Sequence, residues 1–322
     1  MSAAEASTSN ANKAKSSDAG GRPSIRESLT NAAVILAFPV YVGTLLPLLP
    51  GFWWADIFSN FRVQYALALA VGLVLVRSRK RVRIWVGTLL VWNLVAIAGL
   101  SFGAARGEAE ENDTVVLSAN LLSDNDNVQA LISVIEAEQP DVIALLEFTP
   151  TWQAALGAIR AEYPYTIEDP RSDNFGIALL SREPLTGSIV EYGNAGMPSI
   201  LATMSSGLTI LATHPVPPLG GTCAAQRDSQ FEAIANAVSG MSGVLVVGDF
   251  NATGFSRPFR RLQQEGGLKS AARRWSPTWP THFPPLWIPL DHALVTDDVV
   301  VSDFRVARRV GSDHYPIVVR AR

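Results

Sequence analysis

The sequence predicts an α/β fold in which two β-sheets pack face to face with helices outside, preceded by three transmembrane helices. The 322 residues are 48% hydrophobic and only 17% charged, which is too apolar for a fully soluble chain. The apolar excess lies in the first third, since residues 28–55 and 84–105 contain no Asp, Glu, Lys or Arg. The remainder contains many short β-branched runs and few helical patterns, which favours a sheet-dominated globular domain.

Three apolar stretches follow a polar N-terminal tail. Residues 1–28 are rich in Ser, Ala, Asn and Lys, and we predict a disordered cytoplasmic tail. Residues 31–50, 57–76 and 84–102 are each close to the roughly 20 residues that cross a bilayer, so residues 29–104 are assigned to three spans. The middle stretch reaches full length only if Arg62 extends its charge to the interface. A cleaved signal peptide is the alternative for the first stretch, but two further apolar stretches follow it.

Basic residues predict the orientation of these spans. Five Lys and Arg residues lie between the second and third stretches, at positions 77, 79, 80, 81 and 83, and four precede the first stretch. Both groups are expected on the cytoplasmic side by the positive-inside rule. We therefore predict a multi-pass protein of the cell membrane with a cytoplasmic N-terminus and an extracytoplasmic C-terminal domain. Nucleic-acid binding by the basic loop is the alternative, which its position between two apolar stretches disfavours.

The C-terminal domain is predicted to span residues 114–322, after a linker at residues 105–113. Strands are predicted at residues 114–118, 142–147, 176–181, 201–204, 209–213, 244–248, 293–296, 299–306 and 316–320. Helices are predicted over residues 128–135, 226–238 and 257–264, with another beginning at Thr149 and Pro150. The lack of regular alternation argues against a Rossmann or TIM-barrel fold.

Charge and cysteine content exclude some classes of protein. From residue 114 onward there are 15 Lys and Arg against 21 Asp and Glu, a net charge of −6. This balance disfavours unaided binding to a nucleic-acid backbone. Cys223 is the only cysteine, which excludes an intrachain disulfide framework and a cysteine zinc cluster.

Polar residues stand where apolar strands end or begin. Each one alone is more often structural, as a solvated strand end, a turn former or a buried histidine. Together they are more informative, because three of the four histidines lie at strand ends or beside an aspartate. The candidate site residues are Asn120, Glu147, His214, Asp249, Asn251, Asp291, Asp313 and His314.

These residues lie in motifs that resemble the endonuclease/exonuclease/phosphatase superfamily with the DNase I fold. The motifs are Thr-His-Pro at 213–215, Gly-Asp-Phe-Asn at 248–251, Leu-Asp-His at 290–292 and Gly-Ser-Asp-His-Tyr-Pro at 311–316. Asn120 and Glu147 precede them in the matching order, and the resemblance covers residues 114–322. It implies a four-layered α/β sandwich that cleaves phosphoester bonds with a divalent metal, usually Mg²⁺, with Mn²⁺ as the alternative.

The resemblance also implies which residues bind the metal. Asn120 and Glu147 offer hard oxygen ligands of the kind that Mg²⁺ prefers, and Asp313 completes or orders that set. His282 and His292 are interpreted as structural, since a histidine beside the motif aspartate points away on an alternating strand.

Catalytic roles follow from the same resemblance. Asp249 is expected to orient or deprotonate the attacking water, and Asn251 to donate a hydrogen bond to the phosphate. His314, oriented by Asp291, is expected to be a cation that stabilises charge on the phosphorus oxygens. His214 is the candidate general acid, and the acid and base roles remain exchangeable at this level.

An aromatic segment precedes Asp291. Residues 275–289 contain Trp275, Trp279, Phe283 and Trp287 together with five prolines, which predicts a stiff apolar loop near the mouth of the site. The loop either covers a sheet edge or contacts an apolar substrate or the bilayer surface.

The leading functional hypothesis is a membrane-anchored, Mg²⁺-dependent phosphoesterase outside the cytoplasm that hydrolyses a phosphoester or pyrophosphate bond. Its expected partners are the membrane and a phosphorylated, lipid-linked substrate, while the sequence makes no prediction of oligomeric state. Three spans followed by this domain resemble the VanJ-type bacterial membrane proteins. An extracytoplasmic nuclease is one alternative, which the negative charge disfavours. A catalytically inactive binding or sensing protein is another, which the intact set of site residues disfavours.

Overall fold

The described part of the N-terminal apolar region forms four helices of unequal length. The computed structural model describes residues 37–49, 51–76, 79–100 and 103–322, so the predicted tail at residues 1–28 lies outside the described residues. Helix α1 is followed by a 3₁₀ turn at Leu46–Leu48. The four helices are α1 (Phe38–Leu45), α2 (Trp53–Ser59), α3 (Arg62–Leu75) and α4 (Lys80–Ala98).

The prediction of three transmembrane helices is not supported in these described ranges. By length and composition α4 is the one helix able to cross a membrane alone, and α2 and α3 could form a second span only as a pair bent by 61°. The apolar segment Phe38–Leu48 is shorter still, and residues 31–36 and 50 lie outside the described residues. The bend arises where the chain is polar, around Asp56 and Asn60. We call residues 53–62 the elbow.

The first β-sheet has seven mixed strands in the order β1-β12-β13-β2-β3-β5-β4. Strands β2 and β3 are central and parallel, with Asn120 opposite Leu146 at their carboxyl ends. The strands are β1 (Ala105–Arg106), β2 (Thr114–Asn120), β3 (Val142–Leu146), β4 (Tyr165–Asp169), β5 (Ile177–Ser181), β12 (Val300–Val306) and β13 (Ile317–Ala321).

The second β-sheet has six strands in the order β10-β11-β9-β8-β7-β6. Strands β8 and β9 are parallel, and β11 runs antiparallel to β9 with Asp291 opposite Asp249. The strands are β6 (Leu185–Glu191), β7 (Pro198–Met204), β8 (Thr209–Thr213), β9 (Val244–Asp249), β10 (Lys269–Ser270) and β11 (Asp291–Val295).

Helices cover the outer faces of the two sheets. Helices α5 (Val128–Glu138) and α6 (Pro150–Ala155) pack on the first sheet, and α7 (Gly221–Val238) and α8 (Arg257–Glu265) pack on the second. A third apolar cluster fills the space between the sheets. The order helix, sheet, sheet, helix confirms the predicted sandwich of two packed sheets with flanking helices.

All nine strands predicted from the sequence are present, with ends that shift by a few residues, but β4, β6 and the two-residue strands β1 and β10 are not predicted. Strand β6 is exposed along most of its length, so it lacks the alternating apolar pattern of a half-buried strand. Its Gly187 lies so close to β7 that an added Cβ would stand 2.2 Å from the Leu201 carbonyl oxygen. The residues assigned to a linker contribute β1, because Ala105 and Arg106 pair in parallel with β12.

Polar contacts fix the elbow to the C-terminal domain. The Asp56 carboxylate accepts hydrogen bonds from the Ser256 hydroxyl at 2.8 Å and from the Arg257 backbone N–H at 3.0 Å, where α8 begins. It also pairs with the Arg227 guanidinium of α7 at 3.3 Å. The Asn60 side-chain oxygen accepts hydrogen bonds from the backbone and hydroxyl of Thr253, at 3.1 and 2.9 Å. The elbow is therefore packed as part of the domain.

Candidate active site

The candidate residues meet at one edge of the paired sheets. The carboxyl ends of β2 and β3 in the first sheet and of β8 and β9 in the second point to this edge. Antiparallel β11 begins there, and β13 begins just after the last motif. The register therefore brings together all eight candidate residues, which lie on segments far apart in the sequence.

Local backbone geometry explains two features of the motifs. A Cβ on Gly248 would lie 1.8 Å from the Thr213 carbonyl oxygen, so only glycine allows β8 and β9 to approach at this point. Glu147 and Asn251 both adopt left-handed backbone conformations, with φ of 56° and 49°. Such conformations are costly for non-glycine residues and often occur at functional sites. Here they turn two site residues toward the cleft immediately after their strands.

Glu147 is held in place by donors on two sides. One carboxylate oxygen accepts from the Ser123 N–H at 2.9 Å and from the Ser123 hydroxyl at 3.1 Å. The other accepts from the Asn120 side-chain amide at 3.1 Å. The same amide nitrogen donates to Asp249 at 3.2 Å, and the Asn120 oxygen accepts from the Leu122 N–H at 3.0 Å. Asn120 thus lies beneath the cleft and positions two carboxylates.

Asp249 lies between two histidines. One of its oxygens is 3.5 Å from His214 Nε2 and 3.6 Å from His314 Nε2. Burial by itself raises the pKa of Asp249, but the charge of His314 and the hydrogen bond and charge of His214 lower it overall. Burial likewise opposes protonation of His214, yet Asp249 and Glu147 raise the pKa of its imidazole. Asp249 is therefore an anion flanked by two potential proton donors.

His314 is oriented by Asp291. Its Nδ1 lies 2.8 Å from the Asp291 carboxylate, and both side chains are buried. Burial disfavours the cation, but the charges of Asp291 and Asp249 raise the pKa of His314 to about 10. The Thr278 hydroxyl accepts a hydrogen bond from the Asp291 backbone N–H at 3.1 Å and fixes the start of β11. His314 is therefore a cation at neutral pH whose Nε2 faces Asp249.

Asp313 and the aromatic loop are linked by a hydrogen bond that the sequence did not reveal. The Trp279 indole N–H donates to the Asp313 carboxylate at 2.9 Å. The Trp279 ring also lies 6.5 Å from the His314 ring, centre to centre. Trp279 therefore positions site residues. Its place in a proline-rich loop does not indicate this role from the sequence alone.

The remaining candidate polar residues occupy distinct environments. The Asn251 amide donates to the Pro215 carbonyl at 3.0 Å, and its backbone N–H donates to Asp249 at 2.9 Å. His292 is buried with its Nε2 2.9 Å from the Ala252 carbonyl oxygen, and burial lowers its pKa to about 4. His282 is exposed in the aromatic loop. Neither His282 nor His292 is among the residues that line the cleft.

The site opens into a large acidic cleft. Its volume is about 1930 Å³ including the solvent-open mouth, and Glu147, Asp173, Asp249 and Asp313 all line it. Of the described residues that line the cleft, none is Lys or Arg. A phosphate would therefore meet carboxylates with no fixed guanidinium or ammonium to bind it. Asp173 is paired with Arg171 at 2.7 Å and Asp249 lies between two histidines, whereas Glu147 and Asp313 have no Lys or Arg partner among the described residues. Hard carboxylate oxygens of this kind fit a divalent cation.

A second group of potential ligand atoms consists of Asp249, Asp291 and His314, which lie within 4.8 Å of one another. In this group the 2.8 Å hydrogen bond between Asp291 and His314 already occupies one atom of each. Glu147 and Asp313, the metal ligands predicted from the sequence, both line the cleft and stay the predicted ligands.

The elbow contributes a further wall of the cleft. Ile57, Asn60 and Phe61 line it opposite residues of the C-terminal domain. All three lie in the stretch at residues 57–76 that the sequence predicts as a membrane span, so the apolar pattern did not indicate that they line a site. One signal was available, because Asp56 is the only acidic residue between positions 28 and 105.

The other aromatic residues of the loop have separate environments. The Trp287 ring packs edge-on against Tyr315 with centroids 6.3 Å apart, and its carbonyl accepts from Gln64 of α3 at 2.7 Å. Trp275 packs against Phe255. Phe283 is exposed at the surface. The loop therefore both supports the site and contacts the first turn of α3.

Comparisons with known proteins agree with this geometry. Residues 117–314 match the sequence model described as the Endonuclease/Exonuclease/phosphatase family. No curated protein matches the chain at the sequence level. Among solved structures, an endonuclease/exonuclease/phosphatase from Beutenbergia cavernae is 18% identical, covering 65% of this chain and 71% of that one, with a TM-score of 0.54.

Two further structures share the fold at similarly low identity. D. rerio TDP2, complexed with a single-strand DNA product, is 17% identical over 66% of this chain and 100% of that one, with a TM-score of 0.54. The 3′ phosphatase NExo from Neisseria, bound to a product DNA hairpin, is 16% identical over 64% and 98%, with a TM-score of 0.53. These similarities concern residues of the two-sheet sandwich and establish its fold.

Proposed function

Because the chain belongs to the endonuclease/exonuclease/phosphatase family, a family of metal-dependent hydrolases of phosphoester bonds, we propose that it is a membrane-anchored, Mg²⁺-dependent phosphoesterase. We propose further that it acts outside the cytoplasm on a lipid-linked phosphoester or pyrophosphate. The resemblance of this architecture to VanJ-type bacterial membrane proteins remains a hypothesis about the biological role of the protein.

The observation that carries the proposal is the charge of the cleft. Four carboxylates line it, of which Asp173 is paired with Arg171 at 2.7 Å, and the described lining residues include no Lys or Arg. Two histidines flank Asp249 at 3.5 and 3.6 Å, so the proton donors and acceptors needed for hydrolysis stand at one point. Such a cleft attracts a cation before it attracts a phosphate, which favours metal-dependent hydrolysis over a binding function.

The chain's own residues supply the proton transfers. Asp249, held anionic by its two histidines, orients the attacking water and accepts its proton. Cationic His314, fixed by Asp291, stabilises charge that develops on the phosphorus oxygens. His214 donates a proton to the leaving oxygen, and the second amide hydrogen of Asn251 donates to the phosphate. Glu147 and Asp313 would hold Mg²⁺, which supplies positive charge at the phosphate when bound.

The contacts of helices α3 and α4 with the C-terminal domain support the proposed membrane anchoring and its orientation. Helices α3 and α4 pack against each other and carry many exposed apolar side chains, including Leu67 and Trp85. Asn60, before α3, binds Thr253, while Leu100, after α4, lies against Gly254. Both contacts lie at the end of the α3–α4 pair nearest the domain. The end of α3 and the start of α4, next to the basic residues predicted to be cytoplasmic, therefore lie at the end of the pair away from the domain.

A nuclease is the second candidate function. TDP2 and NExo carry DNA in their structures, and both have the same fold. A single strand would need cationic side chains along its backbone. The acidic cleft and the domain charge of −6 both favour a substrate with one phosphorylated end.

Two experiments test the proposed function. Detergent-solubilised full chain with Mg²⁺ would be assayed side by side on a prenyl pyrophosphate, a phospholipid and single-stranded DNA. Metal-dependent release of phosphate or headgroup from a lipid supports the proposal, and cleavage of DNA alone overturns it. Alkaline phosphatase fused after Arg322 should be active, whereas green fluorescent protein at that point should be dark after export by the Sec route. The opposite pair of results would refute the extracytoplasmic location.

A further inference from the structure

We propose that the elbow and the facing loops of the C-terminal domain form a binding site for the hydrocarbon chain of the substrate, directly beside the hydrolytic centre. The inference rests on the proposed function and goes further, because it assigns the specificity to particular residues. The N-terminal helices then act as part of the enzyme as well as its anchor.

The first observation is where the apolar residues lie. Ile57 and Phe61 of the elbow line the same cleft as Glu147, Asp249 and His314. On the facing side the cleft is lined by Phe175, by Met197 and by the consecutive residues Val216, Pro217, Pro218 and Leu219. Most of the exposed surface inside the cleft is apolar. The apolar part is thus continuous with the catalytic part.

The second observation is the size of this cleft. About 920 Å³ of it can hold the centre of a water molecule, which is near the upper end of the roughly 300–1,000 Å³ of typical small-ligand sites. A metal and one phosphate fill only the acidic end. The remaining space suits a group that needs no charged partner, which excludes further phosphates and fits a hydrocarbon chain.

The third observation concerns exposure to solvent. Leu219 lines the cleft together with the apolar residues Val216, Pro217 and Pro218, yet it is 84% exposed. A large apolar side chain this exposed gains little from the fold and would gain contact area from an apolar ligand. The ligand's chain would leave the cleft beside the elbow, where α3 begins its exposed apolar surface.

The elbow is fixed firmly enough to serve as a wall. Asp56 binds Arg227, Ser256 and the N-terminus of α8, and Asn60 binds Thr253, which lies two residues after Asn251. Five contacts to four residues, on two helices and one loop, determine where Ile57 and Phe61 lie. Because the elbow is already ordered, binding of a hydrocarbon chain costs no further conformational entropy of this wall.

The test is the dependence of binding on chain length. Alkylphosphonates from two to sixteen carbons carry the anionic head without a hydrolysable ester, so their binding to full-length protein with Mg²⁺ can be measured by calorimetry. Each methylene buried in the cleft should strengthen binding by up to about fourfold until the apolar part is filled. Variants are compared at one chain length in one detergent, which cancels partitioning of the ligand into micelles, and the chain-length series of the unmodified protein is referred to the concentration of free ligand.

Three variants separate an effect on chain binding at this site from a general loss of protein stability. The double variant Ile57→Ser/Phe61→Ser should weaken binding of the twelve-carbon ligand at least tenfold and that of the two-carbon ligand by less than twofold. Leu219→Ser should act in the same direction with an unchanged melting temperature, because its side chain is already exposed. Phe58→Ser is the control, since Phe58 is a 37% exposed apolar residue of the same helix that does not line the cleft.

Each outcome is decisive. Binding that is independent of chain length in the unmodified protein, or equal losses for short and long ligands in the Leu219→Ser variant, would overturn the hydrocarbon site. Chain-length-dependent binding without hydrolysis of any phosphoester would instead overturn the proposed function and leave the site standing.

Discussion

Replacing Asp56 with Asn removes the charge that holds the elbow to the C-terminal domain. The Asp56 side chain is 12% exposed and the Arg227 side chain 2% exposed, so the ion pair is largely shielded from water. Asn keeps an oxygen that accepts one hydrogen bond at the start of α8. It leaves the buried guanidinium with Asp228 as its remaining carboxylate partner, at 2.9 Å.

The expected loss of stability follows from these contacts. Removing one partner of a buried ion pair typically costs about 3–5 kcal/mol. Here the 3.3 Å separation is long and Asp228 compensates in part, so we expect about 2–3 kcal/mol, comparable to the loss of one or two hydrogen bonds to a charged group. For a domain of this size that loss corresponds to a decrease in Tm of about 4–12 °C.

Thermal unfolding of the purified full chain, followed by tryptophan fluorescence, would measure the decrease. Asp228→Asn is the matched control, because Asp228 binds the same guanidinium but its side chain is 46% exposed. Such an exposed pair contributes less than about 1 kcal/mol. If Asp56→Asn lowered Tm no more than Asp228→Asn does, the elbow would not be held by this ion pair.

Three further predictions concern the catalytic centre. Glu147→Gln should abolish metal-dependent turnover and leave the domain folded, and near-normal activity at limiting Mg²⁺ would contradict its role as a ligand. His314→Ala should lower kcat by about 10²–10³ with little change in KM, whereas Asp291→Asn should cost less because an acceptor for Nδ1 remains; a change in KM alone would refute the role of His314. Trp279→Phe removes the 2.9 Å hydrogen bond to Asp313. The Mg²⁺ concentration for half-maximal activity should therefore rise about 10- to 100-fold, while kcat at saturating Mg²⁺ is preserved. A lower kcat at every Mg²⁺ concentration would argue against this positioning role.

The sandwich fold could be predicted from local sequence because its strands are short apolar runs bounded by turn residues. Buried strands such as β3 and β9 are apolar along their length, and a carboxylate that the fold cannot bury without a partner stands at the carboxyl end: Glu147 directly after β3 and Asp249 as the last residue of β9. The order of Glu147, His214, Asp249 and His314 therefore indicated both the family and the edge of the sheets at which they meet. Strand β6 was missed because an exposed edge strand lacks that apolar pattern.

Only the tertiary structure decided what surrounds those residues. Asp56 and Arg227 are 171 positions apart, and Trp279 reaches Asp313 across 34 positions, so no local pattern relates them. The sequence predicts Asn120 as a metal ligand, and the register of β2 beside β3 adds that its amide donates to two carboxylates, Glu147 and Asp249. The sequence also treats residues 57–76 as one apolar span, because hydropathy sums side chains without regard to their partners. The bend at the elbow depends on hydrogen bonds and an ion pair to groups on distant helices, and those partners exist only once the chain has folded.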